Sequence, residues 1–415
     1  MTSTGQPEKR SFGALPTLLS VMFINVLGFG IVVPLLPFYA KSFQAAPWQI
    51  ALIFSAYSMG AFFGEPIWGR LSDRIGRRPL LISTIAGNCL CYATLAFAPN
   101  VYVAFIIRLI GGFFSGNGSV VQGYIADVTR PEERTRYMSY LGASFNLGFI
   151  IGPAVGGLLA HPNAGTIGFR IPLLAASSMS ALCLIGLILF VRESRVHTSD
   201  VRAQASRWDV IGDVINNKAI ARLMLITFLA GSAFMGIESI FGLWTQARFN
   251  WGPHEIGWAF ALSGIVAAVC QIYVTYPLSR NFGQAQMLAV GLCITSITMA
   301  LQPFMPSFWV LVLLALSSIG QSVAWPNVSA LISREVDPDR QGQFLGLNNA
   351  TGAFARFAGP LCMAFVFSGI QPNAAFFTAS LLTLPAIFLA WASRESAHAF
   401  SSRSEPAPMS PLDHH

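Results

Sequence analysis

Apolar runs of about 17–25 residues recur along nearly the whole chain, and each is long enough to cross roughly 30 Å of hydrocarbon as a helix. They fall at residues 14–38, 48–69, 79–98, 101–126, 138–160, 168–191, 219–247, 255–277, 285–304, 307–332, 343–369 and 374–393. Continuous runs of this length predict membrane helices, because a β-barrel would show short alternating segments. The polar breaks are brief except at 192–218, a mixed-charge stretch that reads as a central cytoplasmic loop. The expected organisation is a cytoplasmic N-terminal tail (1–13), a six-helix bundle (14–191), the central loop (192–218), a second six-helix bundle (219–393) and a cytoplasmic tail (394–415). That last tail is rich in Ser, Pro and His and is expected to be disordered. The start is short and polar, with Lys9 and Arg10. The apolar run behind it exceeds a signal-peptide core, so it is read as the first span and not as a cleaved leader.

Composition sharpens the class. The chain of 415 residues is 54% hydrophobic and 10% charged, whereas soluble domains carry about 25% charged residues. Too few charges are present to cover an aqueous surface, and lipid is the alternative solvent. The six cysteines, Cys89, Cys91, Cys183, Cys270, Cys293 and Cys362, all fall in apolar runs, without zinc spacing or a disulfide framework.

The net charge of +7 invites a nucleic-acid reading, but its distribution is topological. With the N-terminus cytoplasmic, 20 of the 25 Lys and Arg lie on that side. Only Lys41, Arg170 and Arg248 lie outside, while Arg108 and Arg356 are within spans. This bias orients the chain with both termini inside a cell (inner or plasma) membrane.

The two halves repeat at a constant offset of 207 residues. Gly76 ends "LSDRIG" and Gly283 ends "LSRNFG"; Pro131 matches Pro338; Gly152-Pro153 matches Gly359-Pro360. Two bundles related by an axis along the membrane normal follow, with a substrate site between them near mid-membrane.

Between the second and third runs stands "GRLSDRIGRRPLL", with five charges between Arg70 and Arg78. It resembles motif A of the major facilitator superfamily. "LGFGIVVPLLP" (Leu27–Pro37) resembles the first-helix motif of its twelve-span drug:proton antiporters, "RLIGG" (Arg108–Gly112) its motif B, and "GASFNLGFIIGPAVGG" (Gly142–Gly157) its motif C. The texture is similar to that of tetracycline-efflux transporters. This resemblance implies a latch built on Gly69, Asp73, Arg74, Gly76, Arg77 and Arg78. In it the aspartate contacts the start of span 11 and an arginine reaches Asp127. It further implies a monomer that uses the proton gradient as its energy source and needs no cofactor. In the second-half copy, Arg280 and Asn281 replace Asp73 and Arg74, so a matching latch there is degraded.

Motif C has a physical reading of its own. Gly148, Gly152 and Gly156 share one helix face and permit close backbone approach. Gly157 follows them, and Pro153 kinks the helix.

Charges inside spans are costly and usually face a partner or a wet pathway. Glu65 and Glu238 are the acids, Arg108 and Arg356 the bases. Glu65, Glu238 and Arg108 are candidates for proton coupling. A pairing of Glu65 with Arg356 across the halves is expected to be state-dependent. Asn25, Asn146, Trp244, Gln271 and Arg356 are candidates for the substrate cavity. A carboxylate at Glu238 near Trp244 suits a cationic or amphipathic ligand. Arg108 resembles the motif B arginine associated with proton transfer; as a structural hub it would bond Gln122 or Asn146. Tetracycline exporters carry acids in spans 1 and 3, where Asn25 and Cys91 stand here. That departure moves proton coupling to Glu65 or Glu238 and argues against tetracycline itself.

No Walker loop, metal cluster or catalytic triad is legible, so neither an enzyme nor an ATP-driven pump is expected. The first reading is a proton-coupled exporter of drugs or amphipathic metabolites working by alternating access. Its partners would be a small-molecule substrate, protons and the bilayer, with no nucleic acid and no metal. The second is an uptake carrier for a sugar or organic acid, and the third a non-transporting membrane receptor or assembly factor. Motif C and the sparse polar content of the spans favour the first.

Overall fold

The computed structural model describes residues 14–129, 131–194, 212–214, 216–275, 282–336 and 340–401, and its regular elements are all helical. In the first half these are α1 (Ala14–Val32), α2 (Leu36–Ser42), α3 (Pro47–Ile75), α4 (Arg77–Leu95), α5 (Val101–Phe113), α6 (Asn117–Val128), α7 (Pro131–Leu159) and α8 (Arg170–Phe190). In the second half they are α9 (Lys218–Phe249), α10 (Pro253–Cys270), α11 (Gln284–Leu301), α12 (Ser307–Arg334), α13 (Gln341–Gly369) and α14 (Ala374–Ser401). A 3₁₀ turn at Val33–Leu35 joins α1 to α2, where Pro34 denies the helix a backbone donor.

Local chemistry sets several of the boundaries. Pro47 opens α3, and the Gln49 side chain accepts from the Ala46 N–H at 2.8 Å. Asn100 caps α5 through the N–H groups of Tyr102 and Val103, and Asn217 caps α9 through that of Ala219. Gly76 separates α3 from α4 at a φ of +111°, a backbone region that L side chains rarely adopt.

Ten of the described helical segments are long and apolar enough to cross a membrane, against the twelve apolar runs of the sequence. The third and fourth runs fall short for different reasons. The helix α4 opens on Arg77 and Arg78 and carries Asn88, which dilutes its apolar length. The fourth run is broken between α5 and α6 at Phe114–Gly116. There Trp68 Nε1 donates to the Phe113 carbonyl at 2.6 Å and its ring fills the space beside Gly116.

Packing is uneven along the molecule. At the end opposite the 69–78 turn, one buried core runs through both halves, from Leu36 and Phe38 to Phe241, Trp244 and Phe376. At the end that carries the turn the core divides. Leu18, Leu81 and Ile125 belong to one cluster, and Ile220, Leu288 and Ile332 to another. The halves are therefore joined at one end and parted at the other.

The cross-half seams are specific. Lys41 Nζ donates to Gln246 Oε1 at 2.8 Å, and α7 lies along α10. The helix α3 lies along α13, where Ser55 Oγ donates to the Phe357 carbonyl at 2.9 Å. Large apolar side chains such as Phe388, Phe365 and Leu189 stand exposed on the outside, as a lipid-facing surface requires.

Candidate functional site

A cavity of about 470 Å³ lies between the halves, on the parted side of the shared core. Its first-half wall is Gly30, Val33 and Pro34 beside Phe145, Phe149, Ile150 and Pro153 of α7, with Asn146 as the single polar side chain. The second-half wall is different. Glu238 of α9, Ser263 of α10, Gln271, Gln302, and Ser317, Ser318, Gln321, Ser322 and Ser329 of α12 all face the space, with Phe234, Phe260 and Trp325 among them. One wall offers apolar surface, and the other offers hydrogen bonds and a carboxyl.

Helix geometry explains the polar wall. Ser317, Gln321, Trp325 and Ser329 recur every four residues and so share a face of α12. This spacing was present in the sequence, but inside a strongly apolar run it does not stand out. Glu238 projects from α9 into the cavity and, among the described residues, has neither a hydrogen-bond nor an ion-pair partner. An unpaired carboxyl on such a wall can take a proton or a cationic ligand.

The expected cavity residues separate. Asn146 and Gln271 line the space. Trp244, Asn25 and Arg356 do not. Trp244 is 1% exposed, donates through Nε1 to Asn373 Oδ1 at 2.8 Å and packs 4.6 Å from the Phe376 ring. It welds α9 to α14 and offers nothing to a ligand. Asn25 is half-buried on α1, away from the wall.

Arg356 of α13 faces Glu65 of α3 across the seam between the halves. Each lies within the electrostatic reach of the other, but the two are not within ion-pair distance. Phe62 and Phe354 meet in the same seam with ring centroids 6.4 Å apart.

Arg108 occupies a separate site. It is buried within the first half, its guanidinium 4.4 Å from the Tyr57 ring centroid, and Asn88, Cys91 and Tyr92 line a small void around it. Among the described residues no carboxylate lies within ion-pair distance, and its Nε has no hydrogen-bond partner. Gln122 is exposed and Asn146 faces the cavity, so neither is the partner expected of a hydrogen-bond hub. A cation over an aromatic face replaces that hub.

The charged turn is organised around Arg77. Its Nε lies 3.1 Å from Asp127 Oδ2, and its Nη1 donates to Ser72 Oγ at 2.6 Å. Ser72 in turn donates to the Gly69 carbonyl at 2.7 Å. Glu193 then accepts from the backbone N–H groups of Arg77 and Arg78, at 2.9 and 3.1 Å. A carboxylate at the start of α4 meets two free donors and the positive end of the helix dipole. At a φ of +111° the turn closes readily only around glycine, and a Cβ there would also press on Glu193 Oε2 at 2.6 Å. Arg78 Nη2 donates to the Ile188 carbonyl at 2.8 Å, and Arg74 is exposed. The sequence reading missed Glu193, which lies just past a span and meets the turn from 116 residues away. The Asp73 side chain, the tail 1–13, Pro338, Arg280 and Asn281 lie outside the described residues, as do most of the central loop and of the final tail.

Motif C turns two faces to two neighbours. A Cβ on Gly148 would meet the Leu27 nitrogen at 2.9 Å, on Gly152 the Gly30 Cα at 2.7 Å, and on Gly156 the Ile31 carbonyl at 2.5 Å. That stripe locks α7 onto α1 within the first half. Gly157 looks the other way, and a Cβ there would come within 2.6 Å of the Pro253 carbonyl in the second half. A Cβ on Gly257 would meet the Pro153 carbonyl at 2.5 Å. This glycine pair lets α7 and α10 touch backbone to backbone at the closed end.

Comparison with known proteins fits this architecture. The sequence profile described as "Major Facilitator Superfamily" matches residues 18–252 and 223–413. The chain is 30% identical over 378 residues to "Tetracycline resistance protein, class C" of Escherichia coli, covering 86% of this chain and 91% of that protein. It is 25% identical over 348 residues to "Quinolone resistance protein NorA" of Staphylococcus aureus (strain MRSA252), covering 83% and 88% respectively. Among solved structures, the bacterial homolog of the human lysosomal transporter Spinster, inward-facing and unoccupied, superposes with a TM-score of 0.76 at 12% identity, covering 97% of this chain and all of that one.

Proposed function

This chain belongs to the Major Facilitator Superfamily, and from that premise we propose that it exports amphipathic small molecules in exchange for protons. The observation that carries the reading is Glu238, a carboxyl without a partner among the described residues, on the wall of a largely apolar and aromatic cavity. Proton and cationic substrate compete for that one group, so binding either releases the other, and antiport follows from a single site. The relatives named for tetracycline and quinolone resistance support an exported substrate. The likeness to a structure solved inward-facing supports reading the parted end as the cytoplasmic one.

In this reading two six-helix halves, 14–191 and 219–393, rock about the cavity, with both termini on the cytoplasmic side of the cell membrane. The chain works as a monomer, with the proton gradient as its only energy source and no cofactor. The Arg77–Asp127–Glu193 turn holds the cytoplasmic end of the first half rigid as it meets the second. Arg108 holds a fixed positive charge in that half, while Glu65 and Arg356 bias the seam. The glycine pair Gly157–Gly257 seals the opposite end.

The test uses everted vesicles carrying an imposed proton gradient and a pH-sensitive dye. Adding an amphipathic cation such as ethidium is expected to release protons, and Glu238→Gln to abolish that release. Ethidium movement that is independent of the gradient and unaffected by Glu238→Gln would overturn the reading.

A further inference from the structure

The cavity does not end at Glu238. Beyond it, towards the closed end, the space continues between Ile237, Phe241, Met299, Leu314 and Ser317, all buried, and reaches Gln302. Every one of these belongs to the second half. Gln302 is 1% exposed, and its Oε1 is buried without a hydrogen-bond partner among the described residues. It stands where α11 gives way to a 3₁₀ turn, Gln302–Phe304, and its own carbonyl is already engaged by the Met305 N–H at 3.2 Å. A side-chain amide oxygen left unpaired in an apolar enclosure costs free energy comparable to a lost hydrogen bond. Such groups call for an explanation, and one that lines a ligand cavity is poised for the ligand.

The geometry points to a blind pouch that reads the far tip of the substrate. Glu238 at its mouth takes an ammonium group, Phe241 and Met299 flank an apolar or aromatic arm, and Gln302 bonds a hydroxyl at the arm's end. A hydroxyl suits an amide in either orientation, because it both donates and accepts. Phe241 lies one turn past Glu238, and Gln302 one turn past Met299. The substrate class is then an amphipathic amine with a hydroxyl at the far end of its apolar arm. The inference rests on the export reading above and adds to it a polar end-stop.

The full-length protein in proteoliposomes tests this, with ethidium as the transported dye and two competing amines. One is N,N-dimethyltyramine, whose phenol sits at the para position. The other is its analogue with a methyl group in place of that hydroxyl. The wild type is expected to be inhibited by the phenol at roughly tenfold lower concentration, because the analogue leaves the buried amide unpaired. In Gln302→Leu the two amines should fall within about twofold of each other, mainly through weaker binding of the phenol. Equal inhibition in the wild type overturns the pouch, and so does a preference that persists in Gln302→Leu. The wild-type comparison needs no variant, and Gln302→Met replaces the leucine variant should that one fail to fold. Ethidium transport that neither amine inhibits sinks the pouch alone. Absence of any gradient-driven ethidium movement sinks the export reading, and the pouch with it.

Discussion

The two halves share a frame and differ in where they keep their buried charge. In the first half Arg108 is sealed against Tyr57 with no acid in ion-pair range among the described residues. In the second, Glu238 opens onto the cavity, again with no base in ion-pair range among the described residues. The cavity walls follow the same division, apolar on the α7 side and polar along α12. The polar and ionisable groups of the cavity thus collect on one half of a repeated sequence pattern. Non-directional contacts suit a wall that must slide past its ligand, and hydrogen bonds suit the wall that keeps it. The charged turn reverses the asymmetry. Among the described residues, its contacts join Arg77 and Asp127 of the first half to Glu193, just past the last span of that half.

Four experiments bear on this contrast. The largest effect is expected from Glu238→Gln, which should lower dye-driven proton movement on the order of 10²-fold or more. The same loss from Tyr57→Leu, which strips Arg108 of its ring, would place the coupling charge in the first half and erase the contrast. Next comes the closed end. Gly157→Val or Gly257→Val forces a side chain into a backbone contact, at a cost of about 1–3 kcal/mol to that closed state. Spin labels on Lys41→Cys and Gln246→Cys should report the two sites moving apart, and an unchanged distance would show that the glycine pair is no seal.

A smaller effect attaches to the turn. Asp127→Asn replaces the charged acceptor of Arg77 Nε with a neutral one and should cost about 1–3 kcal/mol in thermal unfolding of the detergent-solubilised protein. Spin labels beside the turn should show raised mobility, and unchanged mobility there would show that the Arg77–Asp127 contact does not hold it. The smallest effect is expected from Trp244→Phe, which removes one hydrogen bond to Asn373 for about 0.5–1.5 kcal/mol of stability. Ethidium transport should be unchanged; a changed apparent affinity would return Trp244 to the cavity.

The residues found in the cavity show what kinds of signal the chain carries. Glu238 was legible because a lone acid in an apolar run must face something other than lipid. Asn146 and Gln271 were legible for the weaker version of the same reason. Trp244 was misplaced because an aromatic on the helix that bears Glu238 looks available until rotation about the axis is fixed. Two turns along α9 carry it from the cavity to α14. Gln302 and the α12 serines were passed over because neutral polar groups cost little enough in an apolar run to hide there. Glu193 was missed because a helix N-terminus can be capped from anywhere in the chain.

The sequence alone determined the medium, the repeat and the superfamily. Hydrophobic run length, charge asymmetry and a fixed offset are properties of the chain itself, and a bilayer reads them segment by segment. Tertiary structure decided which side of each helix meets the cavity, which glycine faces meet which partner, and which end of the molecule is shut. Those depend on how helices rotate and cross when small residues let backbones touch. That choice is made by packing among many segments at once, and no single segment encodes it.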